Sequence, residues 1–395
     1  MSPQRPGAGE AYRSRIVQEA SEVESLAPVA SRSASSRGRL HAEEEHAFRT
    51  AFQRDRDRVV HSRAFRRLQY KTQVFVHHEG DHYRNRLTHT LEGAQITRTV
   101  ARVLGLNEDL AEAIGLAHDL GHTPFGHAGE RVLAEMLSAS GGFDHNRQCL
   151  RVVDLLEQRH ADYRGLNLSD ETREGILKHG SHWTHPVPLP ELLDQRSLEG
   201  QVADASDEIA YLNHDLDDGL RAGILNFGMI ERLPLLGNLV REVREKYPSA
   251  PESVRRAWIV RAMIDQWVTD LIATSTARIE ADGLDSPEAV RRNSRRVVGL
   301  SDEVDGARRE LKAFLFEHFY NHSAVLDRTR RAEVVVEDLF RLFEDDPSRL
   351  PPEVRERFSE EGEERAIADY VAGMTDRFAL AEHRKNLGSD VGIDP

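Results

Sequence analysis

The stretch from Asn85 to Glu130 most constrains what this chain can become. It holds His89, then the adjacent pair His118-Asp119, then His122, His127 and Glu130. Imidazoles and carboxylates gathered this closely need a rigid frame that turns them toward one another, and the local pattern supplies one. Residues Asn107 to Leu120 read as a helix: Asn107 suits an N-cap, Glu108 and Asp109 suit the first turn, and Gly121 stands where a C-cap glycine belongs. Leu110, Ala113, Ile114, Ala117 and Leu120 fall on one face, so that face is core, and His118 and Asp119 project beside it from the last turn.

Upstream, His89 opens a second helical run in which Ile96, Val100 and Val103 continue a core stripe toward Leu104, and Gly105 ends it. Two antiparallel helices joined at Gly105 bring the start of the first beside the end of the second, so His89 is expected next to His118-Asp119. Thr123-Pro124 cannot continue a helix, and the turn there is expected to carry His122 and His127 back to the same corner on a loop. A mixture of neutral imidazole nitrogen and carboxylate oxygen suits manganese, iron, cobalt or zinc better than an all-oxygen magnesium cage. The expected cofactor is one divalent metal (manganese, magnesium, iron or cobalt), its identity open.

A further ligand has to come from a distant helix, and Gln201 to Leu220 offers it. Val202, Ala205, Ile209, Leu212 and Leu216 form a buried stripe, with Asp207, Tyr211 and Asp215 one turn apart on a neighbouring face. On spacing alone Asp204 is a rival to Asp207. Arg86, one turn before His89, is placed to reach a phosphate on a metal bound there, against the alternative of a surface arginine. His127 and Glu130, three residues apart, look like a dyad in which the carboxylate orients the imidazole for proton transfer. Which of these two and His122 is acid or base cannot be read from spacing.

The spaced histidine, the His-Asp doublet and the later aspartate resemble the HD superfamily of metal phosphohydrolases. The flanking text, RDRDRVVHSRAFRRLQYKTQVF before and GHTPFGHAGE after, resembles its deoxynucleoside triphosphate triphosphohydrolase (dGTPase-like) family. The likeness runs from about residue 35 to 220 and returns at AGMTDRFAL, Ala372 to Leu380. It implies an all-α fold, an HD-domain helical bundle with a mainly helical C-terminal extension. By resemblance the metal ligands are His89, His118, Asp119 and Asp207. Gln73 and Val74 then lie against sugar and base, and His145 and Lys178 border the triphosphate with His122 as a further donor. Tyr211 and Asp215 hold the deoxyribose, the ring filling the space of a 2′-hydroxyl. Phe378 is a weaker candidate for the base. The implied reaction is hydrolysis at the α-phosphorus of a deoxynucleoside triphosphate, dGTP or several dNTPs, to deoxynucleoside and tripolyphosphate. The family also implies a tetramer or hexamer and an allosteric nucleotide.

Residue by residue, simpler accounts compete: a helix-capping loop histidine for His145, and a C-terminal cation on the helix dipole for Lys178. The comb Arg49, Arg54, Arg56, Arg58, Arg63, Arg66 and Arg67 reads either as a solvated face paired with Asp55 and Asp57, or as a phosphate or subunit contact. Two other functions compete with the main one. One is an HD phosphohydrolase acting on a monophosphate, cyclic nucleotide or alarmone, for which Gln73, Tyr211 and Asp215 would have no purpose. The other is a metal-dependent nucleotide or single-stranded nucleic-acid binder that uses the comb.

The 395 residues, 39% of them hydrophobic, allow a substantial core. Residues 1–39, ending in SRSASSRGR, have little to bury and are expected to be disordered, ordering at most against a neighbouring subunit; 40–222 form the catalytic core and 223–395 a helical region completing pocket and subunit contacts. Glu10, Glu19, Glu22 and Glu24 argue against a transit peptide, and no membrane span or secretory signal is evident, so a cytoplasmic location is expected. A net charge of -14 argues against a generic nucleic-acid coat. The lone Cys149 excludes an internal disulfide and reads as packing.

Overall fold

The computed structural model describes residues 13–73, 83–177, 185–388 and 391–393. Helices dominate them, and no strand forms among the described residues, whose extended pairings are isolated bridges such as Thr72 with Asn85. The expected all-α class is therefore the class observed.

The expectation of a disordered tail over 1–39 fails for its described part. Helix α1 (Arg15–Ser25) leads into a segment in which Val29 and Ala30 are buried. The serines and arginines that look unburiable in sequence are donors to buried carboxylates of distant helices. Ser31 donates to Glu199 through N (2.9 Å) and Oγ (3.0 Å), Ser36 Oγ to Glu171 (2.8 Å), and Arg39 pairs with Asp55. Hydrogen bonds to buried carboxylates add to the burial of Val29 and Ala30 as the source of order here.

Helix α2 (Ala51–His61) starts in a reciprocal Thr50/Gln53 capping box and passes through Ser62 into α3 (Arg63–Arg67). Most of the arginine comb pairs within the chain: Arg49 with Asp57, Arg54 and Arg58 with Glu43, Arg56 with Asp109. Helix α4 (Arg86–Val103) is capped by Asn85 and ends at Gly105, whose φ of +66° lets Leu106 N–H reach Ala101 O at 2.8 Å, a Schellman closure. Helix α5 (Glu108–Ala117) follows at once from its Asn107 cap, so the two lie antiparallel.

Gly121 is not the C-cap it looks like. His118 occupies that position with ordinary helical angles, and a Cβ on Gly121 would meet Cys149 N and His145 O, each at 2.2 Å. Glycine is needed there so that the turn can lie against α7 (His145–Arg151), which follows α6 (His127–Met136). Cys149 is buried at this contact and its Sγ donates to His118 O at 2.9 Å. The helix expected to end near Lys178 is α8 (Asp170–Ile176).

Helix α9 (Leu198–Arg221) is the central element, packed on both α4 and α5. Its Val202, Ile209, Leu212 and Leu216 share one core with Ile96 and Val100 of α4 and with Met263 and Trp267 of the long helix Glu252–Ala281. One hydrophobic core thus spans the expected catalytic region 40–222 and the helical region that follows it. A second core joins Val132 and Leu133 of α6 to Val335, Leu339 and Phe343 of helix Ser323–Asp345. Between them they fix the angle at which α4, α5, α6 and α9 present their polar ends.

Candidate metal centre

Four elements meet where the start of α4, the end of α5, the middle of α9 and the loop before α6 come together. His89 Nε2 lies 3.2 Å from Asp207 Oδ1, and His118 Nε2 lies 3.2 Å from that same oxygen and 3.2 Å from Asp119 Oδ1. His89, His118 and Asp119 are buried. Two atoms bound at right angles to one ion, each about 2.1 Å from it, would be about 3 Å apart. His89, His118 and Asp119 each offer a ligand atom within 4.8 Å of the others, and Asp207 adds a carboxylate oxygen 3.2 Å from both imidazoles, so the donor set fits a divalent cation. His118 Nδ1 donates to Gly115 O at 2.6 Å, which leaves its Nε2 lone pair for the centre.

Asp204, the rival to Asp207 on α9, is instead paired with two guanidiniums: its Oδ2 accepts from Arg196 (3.0 Å) and Arg296 (2.9 Å). Asp119 Oδ1 also lies 3.0 Å from His122 Nε2, while its Oδ2 accepts from Arg86 Nη1 at 3.2 Å. Burial opposes its charge, but His118, His122 and Arg86 together hold it well below the usual carboxylate range. Burial and the neighbouring Arg86 and His145 push His122 far below the usual imidazole range, so it is neutral.

A second cluster adjoins the first. His122 stacks on His145 with ring centroids 4.1 Å apart, and Glu130 on α6 accepts from His127 Nδ1 at 3.0 Å and from His145 Nδ1 at 2.7 Å and N at 3.0 Å. The dyad expected of His127 and Glu130 is thus a triad of contacts including His145, which spacing alone did not indicate. Burial works against the Glu130 charge, yet the two imidazoles hold its pKa well below normal. His127 begins α6 directly after Phe125 and Gly126, both at φ +58°. A Cβ on Gly126 would come within 2.9 Å of Arg86 Nη2, so the glycine admits the guanidinium.

Along α9 the surface continues to Tyr211 and Asp215, and there Tyr320 joins it, donating its hydroxyl to Asp215 Oδ2 and stacking on Tyr211 at 6.4 Å. Tyr320 ends a π-helical turn, Phe316–Tyr320, and no sequence signal ties it to residues a hundred positions earlier. Burial pushes Asp215 up to about 7. Gln73 is half-buried, its Oε1 without a partner among the described residues, and its backbone lies beside Gly126. Val74 and Lys178 lie outside the described residues. Phe378 is 43% exposed and lines a cleft with Arg63, Arg67 and Leu120 that includes none of the four ligand candidates, so the structure does not bring it to the centre.

The HD domain family matches residues 86–212, and the phosphohydrolase-associated domain family matches 298–385. The chain is 49% identical to a deoxyguanosinetriphosphate triphosphohydrolase-like protein of Thiobacillus denitrificans, over 91% of this chain and 97% of that one. It is 50% identical to the protein of the same description in Bordetella pertussis (91% and 96% covered) and 48% identical to that of Ralstonia pickettii (92% and 95%). No helix among the described residues is long and apolar enough to cross a membrane.

Proposed function

This chain belongs to the HD-domain family of deoxyguanosinetriphosphate triphosphohydrolase-like proteins, and on that premise we propose that it hydrolyses deoxynucleoside triphosphates to deoxynucleoside and tripolyphosphate. The observation that carries this reading is the juxtaposition on α9 of Asp207, facing His89 and His118, with Tyr211 and Asp215 one and two turns further along. A phosphate handled at the first then leaves its sugar at the second.

His89, His118, Asp119 and Asp207 would hold the divalent ion, which supplies Lewis acidity toward phosphoryl oxygen. Arg86, fixed on Asp119, offsets charge that builds on the α-phosphate. Water adds at the α-phosphorus, the bond from phosphorus to the 5′-oxygen breaks, and that oxygen takes a proton. The cluster round Glu130 is built to handle protons. Its ionised carboxylate accepts Nδ1–H from both His127 and His145, fixing each ring with Nε2 turned outward to deliver or accept a proton. Asp215, held by Tyr320, accepts from the sugar 3′-hydroxyl, while the Tyr211 ring closes the space of a 2′-hydroxyl. The cytoplasm is the compartment this reading requires.

The test is product analysis with manganese and each of the four deoxynucleoside triphosphates, comparing wild type with Asp207→Ala. Deoxynucleoside plus tripolyphosphate, abolished in the variant, is the expected result. Orthophosphate or pyrophosphate as product would overturn the α-phosphorus reaction.

A further inference from the structure

His89 is the one imidazole of the centre whose back nitrogen meets another imidazole rather than the backbone. Its Nδ1 lies 3.0 Å from Nδ1 of His214, a buried α9 residue, with the rings nearly perpendicular at 87°. Nε2 of His214 lies 2.6 Å from Glu92 Oε2, and Glu92 accepts from Arg84 Nε at 2.9 Å. Arg84 is held in turn by Asp217 at 2.8 Å and Asp218 at 3.2 Å. The row runs Arg84, Glu92, His214, His89.

The protons in this row have one arrangement. A carboxylate paired with a guanidinium accepts, so His214 carries its hydrogen on Nε2, and in the neutral ring Nδ1 is left as an acceptor. The contact between the two Nδ1 atoms needs one hydrogen, which must then come from His89. A neutral His89 protonated at Nδ1 has its lone pair on Nε2, the atom that faces Asp207. We propose that His214 is a positioning residue for the metal centre, selecting, through its own bond to Glu92, the His89 tautomer and ring orientation that can bind a metal. In the neighbouring His118 the back nitrogen meets Gly115 O, which fixes that ring instead. The inference rests on reading His89 as a metal ligand.

Manganese affinity, measured by calorimetric titration of the metal-free full-length protein, tests it independently of turnover. His214→Phe fills the space without an acceptor and is expected to weaken binding about 10- to 100-fold, the usual effect of losing such a partner. His214→Asn places an oxygen near the position of Nδ1 and is expected to recover most of that loss. Glu92→Ala, at a half-exposed site, is expected to weaken binding several-fold, and it stands as the test should the Phe variant not fold. His214→Phe binding as wild type while His89→Ala has lost the metal would overturn the proposal and leave the ligand set intact. Equal losses in the Phe and Asn variants would overturn the acceptor role. A His89→Ala protein that binds manganese normally would overturn the ligand reading itself.

Discussion

Asp207 on α9 and His89 on α4, 118 positions apart, meet with Oδ1 3.2 Å from Nε2. The same oxygen is 3.2 Å from His118 Nε2, which is also 3.2 Å from Asp119 Oδ1, so two carboxylates share one imidazole at this corner. Manganese is therefore expected to raise the melting temperature of the wild type. At a concentration a hundred times its dissociation constant the stabilisation is about 2.7 kcal/mol. Asp207→Asn removes one of the two charges, so the metal-free variant should melt no lower than wild type and should not respond to manganese. Thermal melts with and without the ion decide it, and an undiminished response in the variant would remove Asp207 from the ligand set.

Glu130 holds His127 and His145 together by side-chain contacts of 3.0 and 2.7 Å. Glu130→Gln keeps an oxygen for one partner and loses the second acceptor, so one of the two rings is no longer held in its tautomer and orientation. The expected result is a fall in kcat of about 10²- to 10⁴-fold with little change in KM and an unchanged circular dichroism spectrum. A variant that lost only substrate affinity would make the cluster a binding site rather than a proton carrier.

Asp215 is shifted in the direction opposite to that of a salt-bridged carboxylate. Burial pushes it up to about 7 from a usual value of 3.8. The folded protein thus retains a proton that the unfolded chain releases, and this contribution to stability is full below pH 3.8 and is lost as pH rises through 7. Asp215→Asn cannot lose that proton, so its stability relative to wild type should grow from pH 4 to pH 7 and level off above, by up to about 4 kcal/mol. Urea unfolding of both proteins across that range measures it. A constant difference would mean that Asp215 is ionised throughout in the folded state.

What the sequence made legible follows from helix period. His89 and His118-Asp119 lie on two helices joined by a recognisable glycine turn, and Asp207, Tyr211 and Asp215 repeat every four residues, so their faces follow from the spacing. Contacts made through tertiary packing carry no such mark. Tyr320 reaches Asp215 from a π-turn 105 residues away, and His214 looks like one more polar residue until Glu92 and His89 are seen on either side of it. Residues 13–39 misled because their donors are visible in sequence whereas their acceptors, Glu199, Glu171 and Asp55, are known to be buried only once the helices are assembled.

Gly121 shows the same lesson in testable form. It reads as a helix cap, and a cap glycine replaced by alanine loses about 1 kcal/mol. The close approach of α7 predicts much more, because the added Cβ would sit 2.2 Å from both Cys149 N and His145 O and 2.7 Å from Gln148 C, all backbone atoms that no rotamer change can move aside. Gly121→Ala should therefore cost more than about 3 kcal/mol. Gly306→Ala is the control: it lies within helix Asp302–Leu315 with nothing within 4 Å of the new carbon, and is expected to be neutral or to stabilise by up to about 1 kcal/mol. Denaturant unfolding of the metal-free proteins separates the two accounts. A loss at Gly121 no larger than that of an ordinary cap would mean that α7 can retreat. Because α7 begins at His145, such a retreat would also release the imidazole that Glu130 holds.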